Sequence, residues 1–130
     1  MNATIRVVYD RLPTIEVREH TEDERGNIFT VLRSFSVCGI IVPAGFQCDG
    51  ASVPRFLWGL VFPRNDKQAM CAAIIHDFIY RTHPAHWDRA EADETFHCLL
   101  LEGGVSWIRA LRAYIGVRLF GKSAWEAGNK

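Results

Sequence analysis

The chain has 130 residues, of which 48% are hydrophobic and 23% are charged. This composition is typical of a globular protein and excludes a disordered tail, and the length favours a single domain spanning 1–130. The 15 basic and 15 acidic residues balance. No net field therefore favours nucleic acid, and no nucleic-acid partner is expected.

The apolar and cysteine patterns exclude further classes. No apolar run approaches the ~18 residues that a membrane span needs, so no transmembrane segment is expected. The first residues lack a basic segment followed by an apolar core, so no signal peptide is expected. The cysteines form no C-x-x-C pair, which argues against a zinc ribbon and favours free, mostly buried thiols over a disulfide framework. These cysteines are Cys38, Cys48, Cys71 and Cys98.

The first part of the chain, residues 1–45, is predicted to be β-rich. Apolar and polar residues alternate around Ile5 and again around Ile15, which is typical of half-buried antiparallel strands. The polar segment 20–27 predicts a hairpin loop. A longer strand over 28–37 and a short strand over 40–42 complete this part.

Residues 46–65 contain too many glycines and prolines for a regular element and are predicted to form a long loop. The loop is also strongly apolar, so we expect it to pack under the domain and to line a pocket. The residues predicted to line that pocket are Phe46, Phe56, Leu57 and Trp58.

Residues 66–121 are predicted to form three helices, followed by a tail over 122–130. The first helix runs over 66–81 with Asp66 as its N-cap, the second begins near Asp88 and ends at Gly103, and Ser106 caps the third. Strands followed by helices predict the α+β fold class. The third helix also has a basic side, for which a solvated face is favoured over a phosphate site. Its residues are Arg109, Arg112 and Arg118.

The first candidate site residues lie on the first predicted helix. His76 and Asp77 are adjacent, so their side chains diverge by about 100° and must serve different partners. Tyr80 lies one turn after His76 on the same face.

The second helix supplies a carboxylate at the matching height. Asp93 shares a face with Arg89, and a short connection predicts antiparallel helices, so Asp93 can reach His76. Such a carboxylate would fix the imidazole tautomer and leave the other ring nitrogen to activate a water.

A hard cation such as Ca²⁺ suits two carboxylates, those of Asp77 and of Asp49, which is followed by Gly50. The cation would polarise a carbonyl. Together with His76 and Asp93 the two carboxylates form a pattern typical of ester hydrolysis. The alternative is a buried polar network that only fixes helix packing.

Two resemblances extend this interpretation. The segments 42–55, 76–81 and 89–96 resemble the uncharacterised family called domain of unknown function 1353, over roughly residues 28–121. That family is widespread in tailed bacteriophages and prophages, so the resemblance implies a phage-type protein in the virion or the host cytoplasm. It implies no activity.

The second resemblance is to the microbial secreted phospholipases A(2). The segment 76–81, His-Asp-Phe-Ile-Tyr-Arg, is similar to their His-Asp-Phe-Gly-Tyr-Arg signature, 93–96 resembles the next helix, and 113–121 resembles the closing helix. The resemblance implies that His76 is the general base, with Asp93 as its partner and Tyr80 supporting the pair. It also implies that Asp49 and Asp77 are calcium ligands.

This chain departs from the phospholipase pattern at several positions. Ala51 and Ala73 stand where those enzymes place bridging cysteines, and Ile79 replaces the glycine of the signature. The amino-terminal strands have no counterpart there. A shared scaffold does not establish a shared activity.

These residues and resemblances leave three alternative functions. The first is a calcium-dependent ester hydrolase, acting on phospholipid or another ester in host lysis or entry. The second is a non-catalytic protein that binds a virion or host protein through exposed aromatic residues. The third is a metal-dependent phosphohydrolase, which needs an upstream histidine and a later aspartate on helices, whereas the only upstream histidine, His20, lies in a predicted strand or loop. The aromatic candidates for binding are Trp58, Phe62, Trp87 and Trp125.

Overall fold

The computed structural model describes residues 3–22, 26–48 and 67–128. The chain divides into two compact units, Met1–Asp49 and Gly50–Lys130. The first is built from strands and the second from helices, so the α+β fold class is confirmed. The prediction of a single domain stays a prediction. The predicted loop over 46–65 lies largely outside the described residues.

The first unit contains two antiparallel sheets. Strands β1, β2, β3 and β6 form the larger sheet in the order β1-β2-β3-β6, and β4 pairs with β5 in the smaller one. The strands are β1 Ala3–Val7, β2 Ile15–Glu22, β3 Gly26–Val31, β4 Phe35–Val37, β5 Ile40–Val42 and β6 Gln47–Cys48.

The register of the larger sheet follows the apolar alternation. Val17 lies opposite Ile5 on one side and Val31 on the other. Val17 and Val31 are buried, as the period-2 pattern predicts. Cross-strand apolar pairs therefore fix the pairing of β1, β2 and β3.

Several predicted boundaries in this unit are wrong. The single strand over 28–37 is two strands, because a bend after Val31 redirects the chain into the smaller sheet. The hairpin loop over 20–27 is shorter than predicted, since β2 continues to Glu22 and β3 begins at Gly26. Residues 47–48, placed in the predicted loop, pair with β3.

Over residues 67–128, the second unit forms four helices: α1 Met70–Thr82, α2 Arg89–Glu102, α3 Trp107–Phe120 and α4 Lys122–Ala127. Helix α2 packs against both α1 and α3, and α4 contacts α1 and α3. The three-helix prediction is therefore incomplete, because part of the predicted tail is helical. None of the described helices is long and apolar enough to span a membrane.

Helix α1 occupies the centre of this unit, since its residues are buried on nearly every side. A helix that is apolar all round is stable only when neighbours cover it. The helix begins at Met70 rather than at 66, and Asp66 lies outside the described residues. It ends at His83, whose left-handed backbone (φ 44°) lets its N–H donate to the carbonyl of Ile79.

Helix α2 begins and ends where its sequence predicts. The carboxylate of Asp88 accepts the backbone N–H of Glu91 at 2.8 Å, which is a standard N-cap. Gly103 follows the last helical residue. Four apolar residues on one side of α2 are buried: Ala92, Phe96, Leu99 and Leu100.

None of the four cysteines, all of which are described, forms a disulfide, as predicted. Two of them are buried and two are exposed. The expectation of mostly buried thiols is therefore only half correct.

Candidate functional site

The candidate site lies between α1 and α2, where His76 and Asp93 are in direct contact. The imidazole Nε2 of His76 is 2.7 Å from Oδ1 of Asp93. His76 also packs against Phe96, while Tyr80, one turn later on α1, contacts Asp93, one turn earlier on α2. The helices therefore run antiparallel, and the contact allowed by their spacing is formed.

Both members of the pair are buried, with no exposed surface on either residue. Aromatic rings hold the imidazole in place. Its centroid lies 4.2 Å from that of Tyr80 and 4.6 Å from that of Phe96. The ring orientation is thus set by packing as well as by the hydrogen bond.

Asp93 is the centre of a larger network. Its Oδ1 also accepts the hydroxyl proton of Tyr80 at 2.6 Å. Its Oδ2 accepts from Arg118 Nη1 at 2.8 Å and, more weakly, from Arg89 Nη1 at 3.5 Å. A buried carboxylate needs such donors because burial removes its water.

Arg89 ties this network to the end of α3. Its guanidinium donates to the backbone carbonyls of Val117 at 3.0 Å and of Arg118 at 3.3 Å. The carbonyl of Val117 also accepts the backbone N–H of Gly121 at 2.9 Å, and a cation at the C-terminal end of a helix is favoured by the helix dipole. Arg89 therefore holds α2 and α3 together beside Asp93.

Sequence reasoning missed one member of this network. Arg118 was assigned to a solvated basic face, but its guanidinium reaches Asp93 from α3. The assignment was wrong because Asp93 and Arg118 meet only through the packing of α2 on α3. A useful signal was present, since a buried carboxylate predicts more than one cationic or hydroxyl donor.

The environment of each group sets its protonation. Burial would raise the pKa of Asp93, but hydrogen bonds from His76, Tyr80 and Arg118 outweigh it and hold the pKa below its usual value. Burial lowers the pKa of His76, although Asp93 opposes that shift. Burial and the Asp93 carboxylate raise the pKa of Tyr80.

These directions determine the tautomer of His76. Asp93 is ionised and can only accept, so Nε2 of the neutral imidazole carries the proton and donates it to Oδ1. The lone pair of the ring is then on Nδ1. Tyr80 keeps its proton and is a second donor to the same oxygen.

Asp77 lies on another side of α1, as its position next to His76 predicts. The residue is buried, and its Oδ2 lies 3.4 Å from Nη1 of Arg81, which is one turn further along the helix. Asp77 and Asp93 thus use separate cations.

The remaining predicted residues lie in the first unit or outside the described residues. Phe46 is half-buried in the first unit, next to β6. His20 lies in β2 of that unit. The others lie outside the described residues: Asp49, Gly50, Phe56, Leu57 and Trp58.

Of the two predicted calcium ligands, only Asp77 lies within the described residues. Within 3–22, 26–48 and 67–128, no group of three or more His, Cys, Asp or Glu side chains is arranged to hold a metal ion. Ca²⁺ takes about six to eight oxygen ligands. Asp77 supplies one carboxylate, shared with Arg81. The described residues alone therefore do not complete a calcium site, and calcium binding stays a prediction.

Fold and site together define a class of protein: an α+β chain whose helical unit encloses a His–Asp pair supported by a tyrosine and two arginines. The family model described as Protein of unknown function (DUF1353) matches residues 29–117. The chain belongs to that family. No curated protein and no solved structure matches the chain significantly.

Proposed function

We propose that this chain is a phage-type accessory protein that hydrolyses an ester with His76 as the general base. The observation that carries the proposal is the 2.7 Å contact between His76 Nε2 and Asp93 Oδ1. A buried carboxylate on one ring nitrogen is the arrangement that makes the other nitrogen a directed base.

The proposed reaction begins with a water at His76 Nδ1. The imidazole takes a proton from that water as the oxygen attacks the ester carbonyl, and Asp93 stabilises the imidazolium that forms. When the tetrahedral intermediate collapses, the carbon–oxygen bond to the alcohol breaks. The proton then passes from Nδ1 to the departing alkoxide, which restores the neutral imidazole.

The other residues of the network support this role. Tyr80 donates to the same oxygen as His76, which holds the carboxylate in the orientation that the imidazole needs. Arg118 occupies the second oxygen. This pairing limits the basicity of Asp93, so that Asp93 orients the imidazole without taking its proton.

The substrate class rests on the resemblance to microbial secreted phospholipases A(2). A phospholipid is the proposed ester, used in host lysis or entry, with acyl chains in the apolar segment predicted at Phe46, Phe56, Leu57 and Trp58. Calcium at Asp49 and Asp77 is proposed on the same basis. No step above depends on calcium, so its test is separate: calorimetric titration of wild type and Asp77→Asn.

The test of the proposal is fatty-acid release from phospholipid vesicles, measured with calcium and with chelator. We expect His76→Asn and Asp93→Asn to lower kcat by at least about 10²-fold, the contribution typical of general base catalysis. His86→Asn is the matched control, because His86 is exposed and its left-handed backbone (φ 70°) suits asparagine. Equal rates for His76→Asn and His86→Asn would refute the proposal.

One observation favours the second candidate, a non-catalytic virion or host-interaction protein. His76 has no exposed surface, whereas a general base must be reached by water and substrate. In that case the network around Asp93 only fixes helix packing. A folded wild-type protein that hydrolyses neither phospholipid nor simple esters would favour this candidate over the hydrolase.

A further inference from the structure

Helix α3 has two faces of opposite character. The face toward the other helices is made of small residues, and Ala110, Ala113, Gly116 and Val117 are buried there. The opposite side consists of five large apolar residues, of which four are exposed and Leu111 is half-buried. We call Trp107, Ile108, Leu111, Ile115 and Leu119 the outer face of α3.

The outer face is continuous along the helix. Trp107, Leu111 and Ile115 follow one another at four-residue spacing, and Ile108, Ile115 and Leu119 at spacings of seven and four, so all five side chains lie within one side of the helix. Trp107 is 70% exposed and Leu119 is 68% exposed. Contiguous exposed apolar residues on one helix face indicate an interaction surface.

The charges around this face have one sign. Helix α3 contains three arginines and no Asp or Glu, whereas Lys122, just after it, is paired with Glu126. Arg112 is exposed at one edge of the outer face, and Arg109 lies half-buried next to the small-residue face. Arg118 is engaged with Asp93. Although the whole chain is neutral, this helix therefore presents a positive local field.

We infer that the outer face of α3 docks on an anionic phospholipid membrane surface, with the helix lying in the interface. Tryptophan, isoleucine and leucine on one side, with arginines and no acidic residue, is the composition of interfacial helices. A second copy fits less well, because pairing two such helices would bring arginines of like charge together without acidic partners.

This docking does not depend on ester hydrolysis. It is tested with vesicles of ether-linked phospholipids, which an ester hydrolase cannot cleave. The failure of hydrolysis and the failure of docking are therefore separate results. Phosphatidylglycerol vesicles supply the anionic surface, and phosphatidylcholine vesicles of the same size supply the neutral one.

The main experiment is vesicle co-sedimentation of wild type and Trp107→Ser/Leu119→Ser. The expected result is binding to the anionic vesicles that falls at least tenfold in this double variant, since two large apolar side chains leave the interface. Val8→Ser/Ile41→Ser is the matched control. Val8 and Ile41 are each 67% exposed in the first unit, and their substitution should leave binding unchanged.

The charge contribution has its own variant. Arg112→Gln should weaken binding to phosphatidylglycerol vesicles roughly fivefold and leave weak binding to phosphatidylcholine unaltered. Raising the salt concentration should reduce the difference between wild type and this variant.

A second measurement tests the proposal even if the double variant does not fold. Brominated phosphatidylglycerol should quench part of the wild-type tryptophan fluorescence, and Trp107→Phe should remove that part. Equal quenching in both proteins, no vesicle binding by folded wild type, or a concentration-dependent dimer abolished by Trp107→Ser/Leu119→Ser would each overturn the proposal.

Discussion

Arg118 Nη1 donates to Asp93 Oδ2 at 2.8 Å, although the two residues are 25 positions apart and lie on different helices. This contact joins α3 to the carboxylate that also holds His76. The site is therefore maintained by three helices, and its geometry depends on how α3 packs.

Removing the Arg118 guanidinium should destabilise the helical unit. We expect Arg118→Met to lower the free energy of unfolding by about 1–3 kcal/mol, because a buried carboxylate loses its shortest donor to Oδ2. Urea denaturation measures the change. Arg112→Met, an exposed site on the same helix, should stay within about 0.5 kcal/mol of wild type. Equal effects of the two substitutions would contradict the structural role of the Arg118 contact.

Neutralising Asp93 should lower the free energy of unfolding by more than Arg118→Met does. In Asp93→Asn the amide cannot accept from every donor around it, and two arginines lose their buried counter-charge. The expected loss is about 3–5 kcal/mol, measured by the same denaturation. Asp88→Ala removes only the N-cap of α2 and should lower the free energy of unfolding by about 1 kcal/mol. It is the control with which the loss in Asp93→Asn is compared. An Asp93→Asn protein as stable as Asp88→Ala would show that the network is not a stabilising one.

Stability should fall as the solution is acidified. Burial lowers the pKa of His76 in the folded chain, while in the unfolded chain it is about 6.5. Below about pH 6.5 the unfolded chain therefore binds a proton that the folded chain does not, and acid favours unfolding. The pKa of Asp93 is also lowered. The contribution of its carboxylate to the stability of the folded chain is therefore also lost on acidification, at still lower pH.

The measurement is the free energy of unfolding at pH 8, 7, 6 and 5, with wild type compared with His76→Asn. The variant should be less stable at pH 8 but should lose less between pH 6.5 and 5, because its side chain does not titrate. A wild type whose stability is constant or rises over that range would contradict the lowered pKa of His76.

Gly121 is the position where an added methyl group would disturb the site directly. A Cβ there would lie 2.5 Å from the carbonyl of Val117 and 2.8 Å from the hydroxyl of Tyr80. We expect Gly121→Ala to lower stability by about 1–3 kcal/mol, through overpacking rather than backbone strain, since φ is −85°. Thermal unfolding measures the loss. Ser123→Ala, exposed in the next helix, should be close to neutral.

The sequence by itself determined the elements that carry strong local signals. Asp88 and Gly103 bound α2 correctly because a capping carboxylate and a helix-ending glycine act within a few residues. The His76–Asp93 contact was also predictable, since a short connection between two helices leaves little freedom in their relative height.

Only the tertiary structure decided the features that depend on distant partners. The bend after Val31 depends on the pairing of β4 with β5, and the short helix α4 depends on contacts such as the ring of Trp125 stacked 3.8 Å from His83. Arg118 joined the site for the same reason. Local sequence preferences carry no information about such partners, because the energy of these contacts arises only once the helices and strands have packed.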